Sequence, residues 1–109
     1  MATFEDFLTL DIRVGTVMDA QPLENARNAA YKLHIDFGEE LGIKKSSAQI
    51  TDFYSAAEVI GKQVLAVVNF PPRQISKFMS EVLVLGTYSE GGVVLISPDK
   101  PVRNGDKLG

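Results

Sequence analysis

In "TDFYSAAEVIGKQVLAVVNF", residues 51–70, a helix pattern runs directly into a strand pattern. The first half of this stretch reads as one short helix. Thr51 is a plausible N-cap, Ala and Glu fill the middle, and Gly61 stops it. Its second half is nearly all apolar and rich in β-branched residues, which marks a central strand covered on both faces. A helix delivered directly into such a strand limits the choice of architectures. The segments flanking this helix–strand unit narrow it further.

Before the helix, three strand patterns appear. In "LDIRVGTVMDA" Leu10, Ile12, Val14, Thr16 and Met18 alternate with the rest, and Gly15 in mid-strand suggests a bend or bulge. "QPLENARNAA" reads as a loop. "YKLHIDFG" alternates cleanly, with Tyr31, Leu33, Ile35 and Phe37 on a core face and Lys32, His34 and Asp36 on the other. After an "EELG" turn, "IKKSSAQI" is a third strand of mixed polarity. Beyond residue 70 come a connection of more than ten residues, the strand "EVLVLGTYS", an "EGG" turn and a last strand "VVLISP". At the N-terminus, Thr3 and Asp6 form a weak capping-box signal ahead of a Phe4, Phe7, Leu8 stripe. The C-terminal tail turns at Asn104-Gly105.

Five or six short strands with one helix after the third predict an all-β fold. The expected form is a five-stranded OB barrel with a short helix between strands three and four and short N- and C-terminal extensions. That helix plugs the open end of such a barrel. At 109 residues the chain is expected to be one domain, 1–109, and 45% hydrophobic residues suffice for a core.

Composition excludes several function classes. There is no cysteine, which removes disulfides, thiol nucleophiles and Cys-ligated zinc and fits a cytoplasmic protein. The N-terminus lacks the basic region of a signal peptide, and no apolar run is long enough for membrane insertion. His34 is the only histidine and reads as a surface strand residue. With neither a triad nor a His pair, a small hydrolase is disfavoured, and no catalytic residue, metal or cofactor is expected.

The net charge of −3 argues against strong non-specific nucleic-acid binding, yet it is unevenly spread. Residues 1–60 hold ten acids and five bases, whereas residues 61–109 hold four acids and six bases. The basic residues group as Lys32 with His34, Lys44 with Lys45, and Arg73 with Lys77. Strands two and three of an OB barrel form its usual nucleic-acid face, so Lys32, His34 and one of Lys44 and Lys45 would share it. Aromatic stacking partners are scarce there, which favours a folded RNA read by shape and phosphates.

Five segments in order, "DIRVGTV", "YKLHIDFG", "SSAQI", "GKQVLAVVNFPPRQISKFMSEVLVLG" and "GVVLISPDKPVRNGDKLG", resemble the tRNA-binding OB domain found free-standing and appended to aminoacyl-tRNA synthetases. The "NFPPR", "SSAQI" and "SEVLVLG" forms resemble most its branch of CsaA-type, export-related chaperones. The resemblance places Arg73 and Lys77 in the family's basic stretch, matches Ser80 to its Ser, and puts Asn69 and Pro72 in its Asn-Leu-x-Pro motif. With the strand face, the candidate RNA contacts are Lys32, His34, Lys44, Lys45, Arg73, Lys77 and Ser80. It departs in two places. Val82-Leu83 replaces the family's Gly-Met, and "ARNAA" replaces a Lys-bearing stretch before strand two.

The function expected from the resemblance is binding of unfolded or precursor polypeptides to assist export, by a homodimer. Structure-specific tRNA binding is the alternative. For polypeptides the long connection is the candidate site. Phe70, Pro71, Pro72 and Phe78 would form an apolar wall, and Arg73 and Lys77 would hold carbonyls or acidic side chains.

Overall fold

Ser55, not Thr51, starts the central helix. The computed structural model, which describes residues 1–109, makes Thr51–Phe53 a turn and begins the helix α2, Ala56–Val59, after Ser55. The Ser55 hydroxyl accepts from the Glu58 amide and the Glu58 carboxylate accepts from the Ser55 amide, a reciprocal capping box. Thr51 lacks a Glu or Gln three residues on, which is why it loses. Thr3 and Asp6 make the same box at the start of α1, Phe4–Leu8, as the N-terminal sequence suggests.

The strands are β1 (Ile12–Pro22), β2 (Tyr31–Asp36), β3 (Ile43–Ala48), β4 (Gln63–Val67), β5 (Arg73–Ile75), β6 (Phe78–Ser80), β7 (Leu83–Val84), β8 (Gly86–Ser89) and β9 (Gly92–Leu95). Five of them form one antiparallel sheet in the order β3-β2-β1-β4-β7. This is the expected OB-type barrel, nearly closed, with its helix between the third and fourth strands. Closure comes from side chains as much as backbone. The Lys45 carbonyl accepts from the amides of Glu81 and Val82. In return the Glu81 carboxylate accepts from the Lys45 amide at 2.9 Å, and the Ser80 hydroxyl accepts from the Ser47 amide at 3.0 Å.

The connection after β4 is not a plain loop. It folds into the hairpin β5–β6 about Ser76-Lys77, with Ser76 left-handed at φ 56°. Strand one is also longer than its alternation suggests, because it continues through Gln21 and Pro22 against β2.

Gly15 is not the bulge. The register slips three residues later, between Val17 and Asp19, and Met18 at that slip is half exposed. Gly15 instead faces the barrel interior. A Cβ there would lie 2.6 Å from Ile35 and 2.8 Å from the Phe37 ring, both fully buried.

There are two apolar clusters, which explains why β4 is apolar throughout. Inside the barrel, Val64 and Ala66 join Val17, Leu33, Ile35, Phe37, Ile50 and Val59. On the outside, Leu65 and Val67 pack with Ile12 and Val14, and Phe7 of α1 and Leu10 cover them. Thus the Ile12–Val14 alternation belongs to this outer cluster, not to the barrel core.

Both terminal extensions are fastened to the barrel. The tail runs beside β1, with Val14 donating to Asp106, Gly105 to Val14 and Leu108 to Ile12. Arg13 clamps it. Its guanidinium bonds Asp11 at 2.6 Å and the Gly105 carbonyl at 3.1 Å. The Asp11 hydrogen bond pushes the Arg13 pKa above its ordinary value against partial desolvation, so this clamp keeps its charge. Asn69 ties the other end. It accepts from the Asp11 amide and donates to the Thr9 carbonyl, joining the exit of β4 to the α1–β1 junction.

Candidate functional site

Two surfaces concentrate the expected site residues. The first is the outer face of β2 and β3. Antiparallel pairing sets Lys32 opposite Ser47, His34 opposite Lys45 and Ile35 opposite Lys44. Directly opposed residues share a face, and successive residues alternate. Lys45 therefore lies with Lys32 and His34, whereas Lys44 falls in the row of buried Ile35. Of the two adjacent lysines, the structure brings only Lys45 to the outer face.

That face continues onto the hairpin. The Lys45 ammonium sits 5.4 Å from the centre of the Phe78 ring, a cation–π contact. Phe78 is half-buried and belongs to neither apolar cluster, and it lies away from the apolar groove at the barrel seam. Lys77 precedes it in the hairpin turn and is exposed. On the other side, β1 places Asp19 opposite His34. The His34 Nδ1 is buried without a hydrogen-bond partner. A row Asp19–His34–Lys45–Phe78 thus crosses the sheet, one acid beside one imidazole and one ammonium.

The second surface is that groove, of about 600 Å³, where the hairpin meets the seam. Phe70, Pro71, Ile75, Leu83, Leu95 and Tyr88 are among the residues of its apolar wall. Phe70 is 43% exposed and Leu83 is 47% exposed, so both offer apolar area to a ligand. Arg73 also lines it. Both ion pairs in the chain belong to Arg13, so the Arg73 guanidinium has no carboxylate partner. Pro72 is exposed next to the groove, and Pro71 rather than Pro72 faces it.

Ser80 is buried at the edge of this groove with its hydroxyl occupied. It accepts from Ser47 and donates to the Val82 carbonyl at 3.2 Å. Its visible task is closing the barrel. Sequence reasoning missed Leu83 and Tyr88, which enter the groove from β7 and β8. A clue was present in "SEVLVLGTYS". Its alternation allows only half of its apolar residues to face the core.

No three His, Asp or Glu side chains gather into a group that could hold a metal ion. Fold and surfaces together define an OB barrel that offers a basic strand face and an apolar groove. The profile of the family described as "Putative tRNA binding domain" matches residues 12–107, and the chain belongs to that tRNA-binding domain family.

Among solved structures, the chaperone CsaA from Bacillus anthracis str. Ames is 55% identical, with a TM-score of 0.93 and coverage of 100% of this chain and 99% of that one. The CsaA chaperone protein from Picrophilus torridus is 50% identical, with a TM-score of 0.95 and full coverage of both chains. The methionine–tRNA ligase of Leptospira biflexa is 34% identical over 106 residues. That alignment spans 97% of this chain but 15% of the ligase. The chain is thus far shorter than the curated relatives it matches, and matches the CsaA chaperones end to end.

Proposed function

We propose that this chain is a CsaA-like chaperone that binds unfolded or precursor polypeptides and assists their export from the cytoplasm. In this reading residues 1–109 act as one binding unit without catalysis. The observation that carries it is the groove at Phe70, Pro71, Ile75 and Leu83. It is apolar, open, and bordered by one unpaired guanidinium, which suits an unfolded segment better than a phosphate backbone. Full-length similarity to two CsaA chaperones supports the same reading. Anisotropy titration with one labelled polypeptide, unfolded and then folded, tests it. Binding of the unfolded form alone is expected, and equal binding of both forms, or of neither, rejects the reading.

Binding of a structured tRNA is the second reading, favoured by a different observation. The family match is joined here by a basic row, Lys32, His34 and Lys45, flanked by Lys77. Phosphate contacts from so few cations make a salt-sensitive complex.

The working form in this reading is a homodimer. On α1, Phe4 is 72% and Leu8 55% exposed, while Phe7 is turned toward the outer cluster. Such a stripe on a well-capped terminal helix suits a two-fold contact. Light scattering at micromolar concentration is expected to give twice the 11.9 kDa chain mass, and Phe4→Ser with Leu8→Ser to give monomer. Monomer mass for the unmodified chain refutes the dimer.

A further inference from the structure

The barrel seam has two edges, and they are treated differently. On the β3 side the edge amides are capped by side chains, Lys45 by the Glu81 carboxylate and Ser47 by the Ser80 hydroxyl. On the facing side the chain from Leu83 to Tyr88 runs along the groove, beyond the Ser80–Val82 contact, and no side chain caps its backbone groups. Leu85 donates to the Leu65 carbonyl and accepts from the Ile96 amide, so its hydrogen bonds point to β4 of the barrel sheet and to the residue that follows β9. Backbone groups alternate sides along a strand. Val84 and Gly86 therefore turn their N–H and C=O groups the opposite way, and the pairing of β8 with β9 continues that alternation to Tyr88. All three residues line the groove.

An open strand edge is an aggregation hazard that folds usually cover. Here one edge is sealed and the other lies open beside apolar walls. We propose that an extended polypeptide segment docks in the groove as an added strand, hydrogen-bonding to Val84, Gly86 and Tyr88, with an acidic side chain on Arg73. This rests on the polypeptide-binding reading and adds its mode. Three features argue for that occupant. Unpaired, alternating donors and acceptors match a peptide backbone, which carries both, and not a phosphodiester, which carries acceptors only. The groove holds roughly four or five residues of strand, the reach of the open edge at about 3.4 Å per residue. The uncompensated Arg73 complements a carboxylate. A second pocket of about 380 Å³ shares Gln49, Tyr88 and Val93 with the groove, so a longer segment continues past Tyr88.

The test uses the full chain and a labelled ten-residue peptide of alternating Val and Thr with one central Glu. Amide hydrogen exchange is followed by NMR with and without it. Val84, Gly86 and Tyr88 are expected to slow at least tenfold on peptide addition, while Leu85 and Thr87 change little. Tyr88→Pro removes an outward donor and is expected to weaken the peptide about tenfold relative to Tyr88→Thr, with both variants folded by circular dichroism. Replacing the peptide Glu by Gln is expected to weaken binding to the unmodified chain and not to Arg73→Gln. Peptide binding with unchanged exchange at all three amides overturns the added strand and leaves the chaperone reading standing. No peptide binding, in a protein that also fails to bind unfolded polypeptide, overturns both. Protection of the same amides by tRNA, or by raising protein concentration alone, assigns the edge to RNA or to a second copy and overturns the proposal.

Discussion

Gly15→Val is expected to cost about 3 kcal/mol of folding stability, and Gly15→Ala about 1–2 kcal/mol, the range for overpacking a filled core. The Ala Cβ alone would arrive 2.6 Å from Ile35 and 2.8 Å from Phe37. Those side chains are 0% and 1% exposed, so neither can swing into solvent. Valine adds two methyl groups to the same space, hence the larger loss. If Gly15 served as a flexible bend, the sign would reverse. Its φ is not in the left-handed region, so alanine there would restrict the unfolded chain and stabilise by about 0.4–1 kcal/mol. Urea melts of the three proteins separate these outcomes, and a stabilised Gly15→Ala variant defeats the packing account. With total stabilities near 5–15 kcal/mol, the valine loss is a sizeable fraction of the whole.

The difference between expectation and structure at Gly15 shows what a linear pattern contains. The alternation of Tyr31, Leu33, Ile35 and Phe37 is legible because a period of two assigns a face without reference to other strands. The same alternation over Ile12 and Val14 names two buried residues but not which side of the barrel buries them. That depends on Phe7, Leu10 and Leu85 covering the outer face, which is a non-local fact. The bulge at Met18 is likewise set by pairing with β2, and nothing in "VGTVMDA" announces it. The helix start was legible in principle, since Ser55 and Glu58 carry the full capping box and Thr51 does not.

The site divides in the same way. The wall residues Phe70, Pro71 and Arg73 were readable, because prolines and an apolar-basic mixture are unusual between two strands. The face of Lys44 and Lys45 was not, since a shift of one residue in register exchanges them. Phe78 shows a similar limit. Its aromatic character suited a groove wall, but the two-residue turn at Ser76-Lys77 carries it to Lys45. Asn69 and Ser80, both picked out by resemblance, turn out to have their side chains fully engaged in holding the barrel and its terminal helix together.

Because the groove and the basic face share few residues, their binding activities should separate under mutation. Phe70→Ser with Leu83→Ser is expected to weaken unfolded-polypeptide binding about thirtyfold, near 2 kcal/mol. Each side chain is close to half exposed and contributes about 1 kcal/mol when a ligand covers it. Folding stability should fall little, because neither belongs to an apolar cluster. tRNA binding should stay unchanged. Lys32→Ala with Lys45→Ala should do the converse. Any tRNA affinity should lose salt sensitivity, with a log–log slope shallower by roughly 0.7–0.9 for each phosphate contact removed, while polypeptide affinity is retained. Arg73 is the exception that checks the geometry. It lines the groove but extends from the hairpin that also carries Lys77, so Arg73→Ala should reduce polypeptide binding and leave the salt slope less affected than Lys45→Ala does. Measuring both ligands against all three variants at two salt concentrations decides the matter. If the serine pair abolished tRNA and polypeptide binding together, with the protein still folded, one shared surface would replace the separate groove and basic face.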